Sequence, residues 1–485
     1  MSIFIHNSLT RKKEELVPLT PQKVNIYSCG VTVYDDCHIG HARSLYIFEV
    51  IRRYLKYRGF QVNFVRNITD IDDKIINRAN ELKVDWKELV NRYIDRYYLD
   101  LTALGLDKAD FEPRATENIP EMLKFIQGLV DKGYAYATAT GVYFSVRKFP
   151  EYGKLSGQSI EQMLTGVRKE ADETKEDPLD FALWKKSKPE EPFWPSPWGD
   201  GRPGWHIECS VMSTKYLKTD TLDIHAGGRD LIFPHHENEI AQAEALTGKL
   251  FSKYWIHHGL LTINSQKMSK SLGNFITIKD FLAKYKDADI LKLFFLPTHY
   301  SHPIDYNDER IKEAIKQKDL FDKFFYYVYS WKQFFEYWLN CPGLVALKKR
   351  TKTNFSQKDK EVVDKICINF EEAMDNDFNS PQALGDLCDL ANLGLGFVSS
   401  DKEGGFLYVK SKLQKFLEIF CFRIIPEEKM SEDILKKLAE MEVERIKRNF
   451  SDSDKKRLEA TSNFNINISN TATNIAFTFI KDSEK

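Results

Sequence analysis

No uninterrupted apolar stretch in this 485-residue chain approaches the ~18 residues that a membrane helix needs, so no membrane partner is expected. The opening Met1-Ser2-Ile3-Phe4-Ile5-His6 carries too short an apolar run for a signal peptide, and a cytoplasmic location is expected. No C-x-x-C pair occurs among the seven cysteines, which are scattered from Cys29 to Cys421. That argues against a secreted disulfide framework and for reduced thiols. Net charge is nearly absent, at −1 with a pI of about 6.8, so no global field draws in a nucleic acid. Any RNA contact must rest on local clusters such as Lys348-Lys349-Arg350 or the run from Lys436 to Arg448, which read equally well as solvated helix faces. No histidine lies beyond His302, which confines metal and proton chemistry to the residues before it. No Walker-type phosphate loop is present, and no internal repeat stands out.

Composition is ordinary for a globular protein, with 42% hydrophobic and 29% charged residues. At roughly one domain per ~150 residues the length suggests about three domains. Val24 to Cys29 reads as a strand, and from Ala42 the apolar residues Leu45, Phe48, Ile51 and Leu55 recur at helical steps until Gly59. Gln61 to Val65 alternates like a strand. This strand-helix-strand unit predicts a parallel sheet of Rossmann type. Between about residues 115 and 205 the pattern breaks into a hairpin turning near Gly141 and an irregular Pro192 to Gly199 segment, expected to be an insertion. Leu222 to His225 and a helix from Glu237 to Leu246 resume the α/β pattern, so the sheet domain is split in sequence. Long helix-favouring runs after residue 305, including Lys358 to Phe370 and Pro381 to Val398, predict a helical bundle. The Asn-, Thr- and Ser-rich tail from Asn463 suits a strand pair or partial disorder.

Two segments suit phosphate chemistry. His38-Ile39-Gly40-His41 sits just before a helix, where free backbone amides and the helix dipole attract phosphate. Its two imidazoles can donate hydrogen bonds, and Gly40 leaves room for a flat base. Lys267-Met268-Ser269-Lys270-Ser271 follows the strand-like Leu260 to Ile263 and can stabilise charge on a leaving pyrophosphate. Alone, the first reads also as ordinary loop histidines and the second as a solvated basic turn. Their order at opposite ends of a split α/β domain is more specific than either.

A third set suits a metal. Cys29 ends the first strand, Cys209 lies in Gly204-Trp205-His206-Ile207-Glu208-Cys209, and His235 and Glu239 stand four apart, a spacing that puts both on one helix face. Two thiols, an imidazole and a carboxylate fit zinc. Cys29 could equally be a buried strand residue, since a separation of 180 positions from Cys209 does not establish contact.

The paired signatures resemble those of class I aminoacyl-tRNA synthetases, and the segments Cys29 to Asp35, Gly204 to Ser210 and Phe233 to Gln242 resemble the cysteinyl-tRNA synthetases of that class. Most of residues 1–300 and the stretch Met374 to Pro381 share the likeness. It implies ATP binding by His38, Gly40, His41, Lys267 and Lys270, with His38, His41, Lys267 and Lys270 serving catalysis and the second signature forming a mobile loop over the phosphates. It implies one Zn²⁺ per subunit on Cys29, Cys209, His235 and Glu239, and ATP used with Mg²⁺. Thr69, Trp205, His225 and Asp230 are candidate cysteine contacts that read equally as packing or capping residues. The implied reaction joins L-cysteine through an adenylate to the terminal adenosine of cysteine tRNA, in a monomer with catalytic halves at 1–115 and 201–305, an insertion at 116–200, a bundle at 306–425 and an anticodon-binding region at 426–485. A ligase coupling cysteine to an amino sugar would share both signatures, and a silent RNA-binding relative would lack pyrophosphate exchange. Two departures stand out. Ala226 replaces a usual glycine, and the tail from Asn463 to Lys485 has neither glycine nor tryptophan.

Overall fold

Four parallel strands form the centre of the larger unit in the computed structural model, ordered Ser252–His258, Leu222–Gly228, Lys23–Thr32 and Gln61–Thr69. The structure describes residues 2–166, 174–269, 272–340, 355–400, 402–423, 431–446, 449–464, 466–470 and 475–479. The chain divides into two units, one of residues 1–288, 298–307 and 375–378 and the other of residues 289–297, 308–374 and 379–485.

In the first unit every residue of Leu222–Gly228 is buried, as expected for a parallel strand covered on both faces. The Lys23–Thr32 strand pairs with Gln61–Thr69 on one side and with Leu222–Gly228 on the other. The chain thus reverses its direction of travel across the sheet beside Lys23–Thr32, the kind of switch point at whose carboxyl ends parallel sheets bind ligands. The helix Ile39–Tyr57 makes the first crossover, burying Leu45, Phe48, Ile51 and Leu55, the stripe expected from its spacing. It starts three residues before the expected Ala42, because His38 acts as its N-cap.

The insertion is a four-stranded antiparallel sheet of Ala135–Ala137, Gly141–Phe144, Phe181–Lys186 and Gly201–Pro203. Its turn falls before Gly141, where a Cβ would meet the Trp184 carbonyl oxygen at 2.1 Å, so only glycine fits. Within this unit Asp377 donates its amide to the Phe4 carbonyl at 2.8 Å, and its carboxylate accepts from the His6 amide and the Tyr300 hydroxyl.

The second unit is helical: Asp308–Asn340, Gln357–Asp375 up to Met374, Ser380–Ser399, Glu403–Ile419, Glu432–Ile446 and Phe450–Phe464. Its core is aromatic, with Phe370 and Phe416 stacked at 4.0 Å between ring centres. Asn379 caps the Ser380–Ser399 helix through the Gln382 amide, and Pro381 sits in its first turn. An antiparallel strand pair, Ile466–Asn470 with Ile475–Phe479, realises the alternation of the tail.

Candidate active site

Cys29 sits where the Lys23–Thr32 strand loses register with its neighbour, between Ser28 and Val31. A bulge of this kind re-aims a side chain at a strand end. Gly30 permits it: a Cβ there would lie 1.6 Å from the Asn67 carbonyl oxygen, and its amide donates to Asn67 Oδ1 at 2.9 Å. Cys209 comes from the helix Trp205–Leu217. His235 belongs to the wide turn Ile232–His236 that precedes the helix Glu237–Thr247, not to the helix itself, yet it still reaches Glu239 one turn on.

These segments bring the four donors together. One ligand atom from each of Cys29, Cys209, His235 and Glu239 lies within 4.8 Å of every other. Cys29 Sγ is 3.9 Å from Cys209 Sγ and 3.8 Å from Glu239 Oε1. His235 Nε2 stands 3.0 Å from Glu239 Oε1 but makes no hydrogen bond. A buried nitrogen aimed at a carboxylate without bonding to it fits a shared ion better than direct contact.

The outer atoms of these donors are held. His206 Nδ1 meets His235 Nδ1 at 2.8 Å, and His225 Nε2 meets Glu239 Oε2 at 2.7 Å. Such contacts fix the orientation of metal ligands. Burial works against a charge on Glu239, yet His225 and His235 outweigh it and hold the carboxyl to about 2. Burial likewise opposes protonation of His235, but Glu239 lifts that imidazole to about 10. The Glu239 carboxylate is thus balanced by positive charge on its imidazole neighbours, and a metal ion held there would take over that role with His235 neutral.

Sequence reasoning missed His236 and His257. Cys29, His225, His236 and Glu239 form a second set of close donors, with His236 Nε2 at 3.2 Å from Cys29 Sγ. His225 Nε2 is committed to Glu239 Oε2, however, whereas His235 Nε2 is free of hydrogen bonds, which favours the first set. His236 Nδ1 continues to His257 and then to Ser8 Oγ, both at 2.8 Å. The density of histidines between His225 and His258 was the one available signal.

Of the softer candidates, Trp205 stacks on His235 at 4.0 Å. Thr69 donates to Glu208 Oε2 at 3.0 Å, beside Cys209. His225 borders Glu239 as described. Asp230 is exposed, and its charge acts on His38 and His258.

The nucleotide signature is built on a helix cap. His41 donates its amide to His38 Nδ1 and His38 donates its amide to His41 Nδ1, both at 3.2 Å, with the rings stacked at 3.7 Å. An imidazole that accepts at Nδ1 carries its proton on Nε2 when neutral. Burial holds His38 down to about 4, and burial with the charges of His38 and Lys74 holds His41 well below its ordinary value. Each ring is thus a neutral Nε2–H donor. A Cβ on Gly40 would meet the His38 ring at 2.9 Å and Met268 Cε at 3.5 Å, so this glycine serves ring stacking and contact with the second signature.

The two signatures meet through backbone as well. Ile39 donates to the Ile276 carbonyl at 3.1 Å and Ile278 to the Cys37 carbonyl at 2.9 Å. Lys267 lies in the exposed strand Gln266–Lys267, and Asn274 bridges the loop by bonding the Lys267 carbonyl and the Ser269 amide. Lys270 and Ser271 lie outside the described residues.

The family model for the class I (C) tRNA synthetase catalytic domain matches residues 15–316, and the DALR domain model matches residues 369–393. A cysteine–tRNA ligase of Thermodesulfovibrio yellowstonii is 55% identical over 385 residues, covering 79% of this chain and 76% of that protein. That of Aquifex aeolicus is 50% identical over 388 residues, covering 79% and 75%. Among solved structures, Mycobacterium tuberculosis methionyl-tRNA synthetase in complex with methionyl-adenylate superposes with a TM-score of 0.57 at 14% identity, covering 90% of this chain and 93% of that one, a likeness of fold.

Proposed function

This chain belongs to the cysteine–tRNA ligases of class I, and on that premise we propose that Cys29, Cys209, His235 and Glu239 hold one zinc ion that selects the amino acid. The protein is an ATP-dependent ligase that joins cysteine to tRNA, so the amino-sugar and silent RNA-binding alternatives give way. The observation that carries the zinc reading is the convergence of four donors within 4.8 Å, one of them a buried imidazole nitrogen with no hydrogen bond. Bound there, zinc lowers a thiol pKa from ~8.5 and prefers thiolate to the hydroxyl of serine, a discrimination that an apolar pocket limited to ~10–200-fold cannot supply.

The chain's own residues do the rest. His206 and His225 hold His235 and Glu239 in place, and Trp205 packs over His235. Thr69, Trp205 and His225 line the cysteine subsite, and Asp230 receives the substrate ammonium. His38 and His41 offer neutral Nε2–H donors to ATP, with Gly40 keeping the cap closed. Lys267 and Lys270 place positive charge where pyrophosphate departs as the cysteine carboxylate attacks the α-phosphate of ATP-Mg²⁺. The terminal adenosine of tRNA then takes the cysteinyl group, and no side chain becomes a covalent nucleophile. We place the halves of the catalytic domain at 1–115 and 201–305, the insertion at 116–200, the bundle at 306–425 and the anticodon-binding region at 426–485. The protein acts as a monomer in the cytoplasm.

Metal analysis of the purified chain, paired with ATP–pyrophosphate exchange, tests this. One zinc per chain and exchange that depends on cysteine are expected; a chain that binds no zinc, or exchanges equally with serine, would sink the reading.

A further inference from the structure

Arg43 lies two residues after His41 on the same helix and is only 1% exposed. A guanidinium taken out of water is costly unless its donors are satisfied. Here the two terminal nitrogens go to backbone carbonyls: Nη1 donates to Gly259 at 2.7 Å and Leu260 at 3.0 Å, and Nη2 to Tyr300 at 3.3 Å and His302 at 2.6 Å, while the buried Nε has no hydrogen-bond partner. Burial lowers its pKa only to about 10, so it stays charged near neutral pH. The planar fork suits this task, because it holds more donors in a fixed geometry across two chain segments than the three of an ammonium.

Those two segments carry the root of the second signature. Gly259 donates to the Tyr300 carbonyl at 2.8 Å and Ile304 to the Leu260 carbonyl at 2.9 Å. A Cβ on Gly259 would lie 2.2 Å from the His302 carbonyl carbon and oxygen, which shows how closely the backbones approach. Directly beyond this joint, Leu261–Ile263 pairs in parallel with Ile304–Tyr306 and turns back so that Thr262 faces Lys267. On the returning side the chain is pinned by the amides of Ile39 and Ile278 to the 37–39 and 276–278 backbones. Both ends of the lysine-bearing segment are therefore tied to residues 37–43, one by backbone and one by the Arg43 side chain.

We infer that Arg43 is a positioning residue for adenylate formation, fixing the hairpin that presents Lys267 relative to His38 and His41. The inference rests on the proposed role of those residues toward ATP. The function needs charge aligned in the transition state more than in the ground state, so loss of the joint acts on turnover.

The test uses the full-length, zinc-loaded protein with Arg43→Lys and Arg43→Gln. Cysteine-dependent ATP–pyrophosphate exchange is measured per active site, with sites counted by the stoichiometric burst of adenylate and zinc content recorded. Turnover per site is expected to fall roughly 10- to 100-fold in Arg43→Gln, the scale of a misplaced catalytic group, and less in Arg43→Lys. KM for cysteine and zinc content stay at the wild-type values. Turnover per site equal to wild type in both variants, a loss confined to the number of sites, or failure of both variants to fold would each overturn the inference and make Arg43 a stabilising residue alone. A wild-type chain without cysteine-dependent exchange would overturn the reading beneath it.

Discussion

The metal half and the nucleotide half of the site are held by different means. Cys209, His235 and Glu239 are buried to within 1% exposure, and side chains from other elements hold their outer atoms. His38 and His41 are only half-buried, and Lys267 is exposed; the first pair is set by a helix cap and the lysine by backbone hydrogen bonds. The first arrangement is preformed and wired by side chains. The second is positioned by hydrogen bonds in which one partner is backbone, and leaves Lys267 to solvent. On the roles proposed above, selection of cysteine belongs to a largely buried cluster and activation to a more open surface completed by ATP.

This contrast breaks most visibly at Cys209. Cys209→Ala should abolish stoichiometric zinc and lower cysteine-dependent exchange by more than about 10³-fold, beyond the loss of a single electrostatic donor. Metal analysis and exchange on the same sample check both effects, and retained zinc would contradict the assignment. Lys267→Ala should cost about 10²-fold in turnover with zinc content unchanged, which separates the two halves. His206→Ala frees His235 Nδ1 and should weaken zinc binding about 10- to 100-fold, as loss of a group supporting a ligand does; competition with a chelator measures it.

The smallest effect concerns pH. His38 is held at about 4 and His41 is lowered too, both below the unfolded value of ~6.5. Their neutral forms are favoured by folding, so this stability is fully present above pH ~6.5 and is lost as pH falls through about 4. In the double variant His38→Gln/His41→Gln, the drop in urea stability from pH 7 to pH 5 should shrink by on the order of 1 kcal/mol, given partial solvent screening. An unchanged drop would show that these rings are not neutral by burial.

Much of this was legible in the sequence. The apolar stripe of Ile39–Tyr57, the split sheet and the i, i+4 pair of His235 and Glu239 follow from spacing alone. Contact between Cys29 and Cys209 does not, because the chain crosses the sheet and an entire antiparallel insertion between them. The early start of the signature helix escaped prediction because imidazole is not among the usual capping groups. The hairpin of Phe4–Asn7 and Lys12–Glu15 escaped because Lys-Lys-Glu-Glu has no apolar alternation. The roles of His206, His236 and His257 depend on tertiary contacts that no local pattern encodes, as does the grip of Arg43 on four distant carbonyls.

The central claim is that the metal cluster itself reads the substrate thiol. Cobalt substituted for zinc reports thiolate ligation by its absorption, so titrating the cobalt protein with cysteine and with serine tests it directly. Thiolate-to-cobalt absorption that grows with cysteine and is unmoved by serine is the expected result. No change with cysteine, or an equal change with serine, would contradict the account.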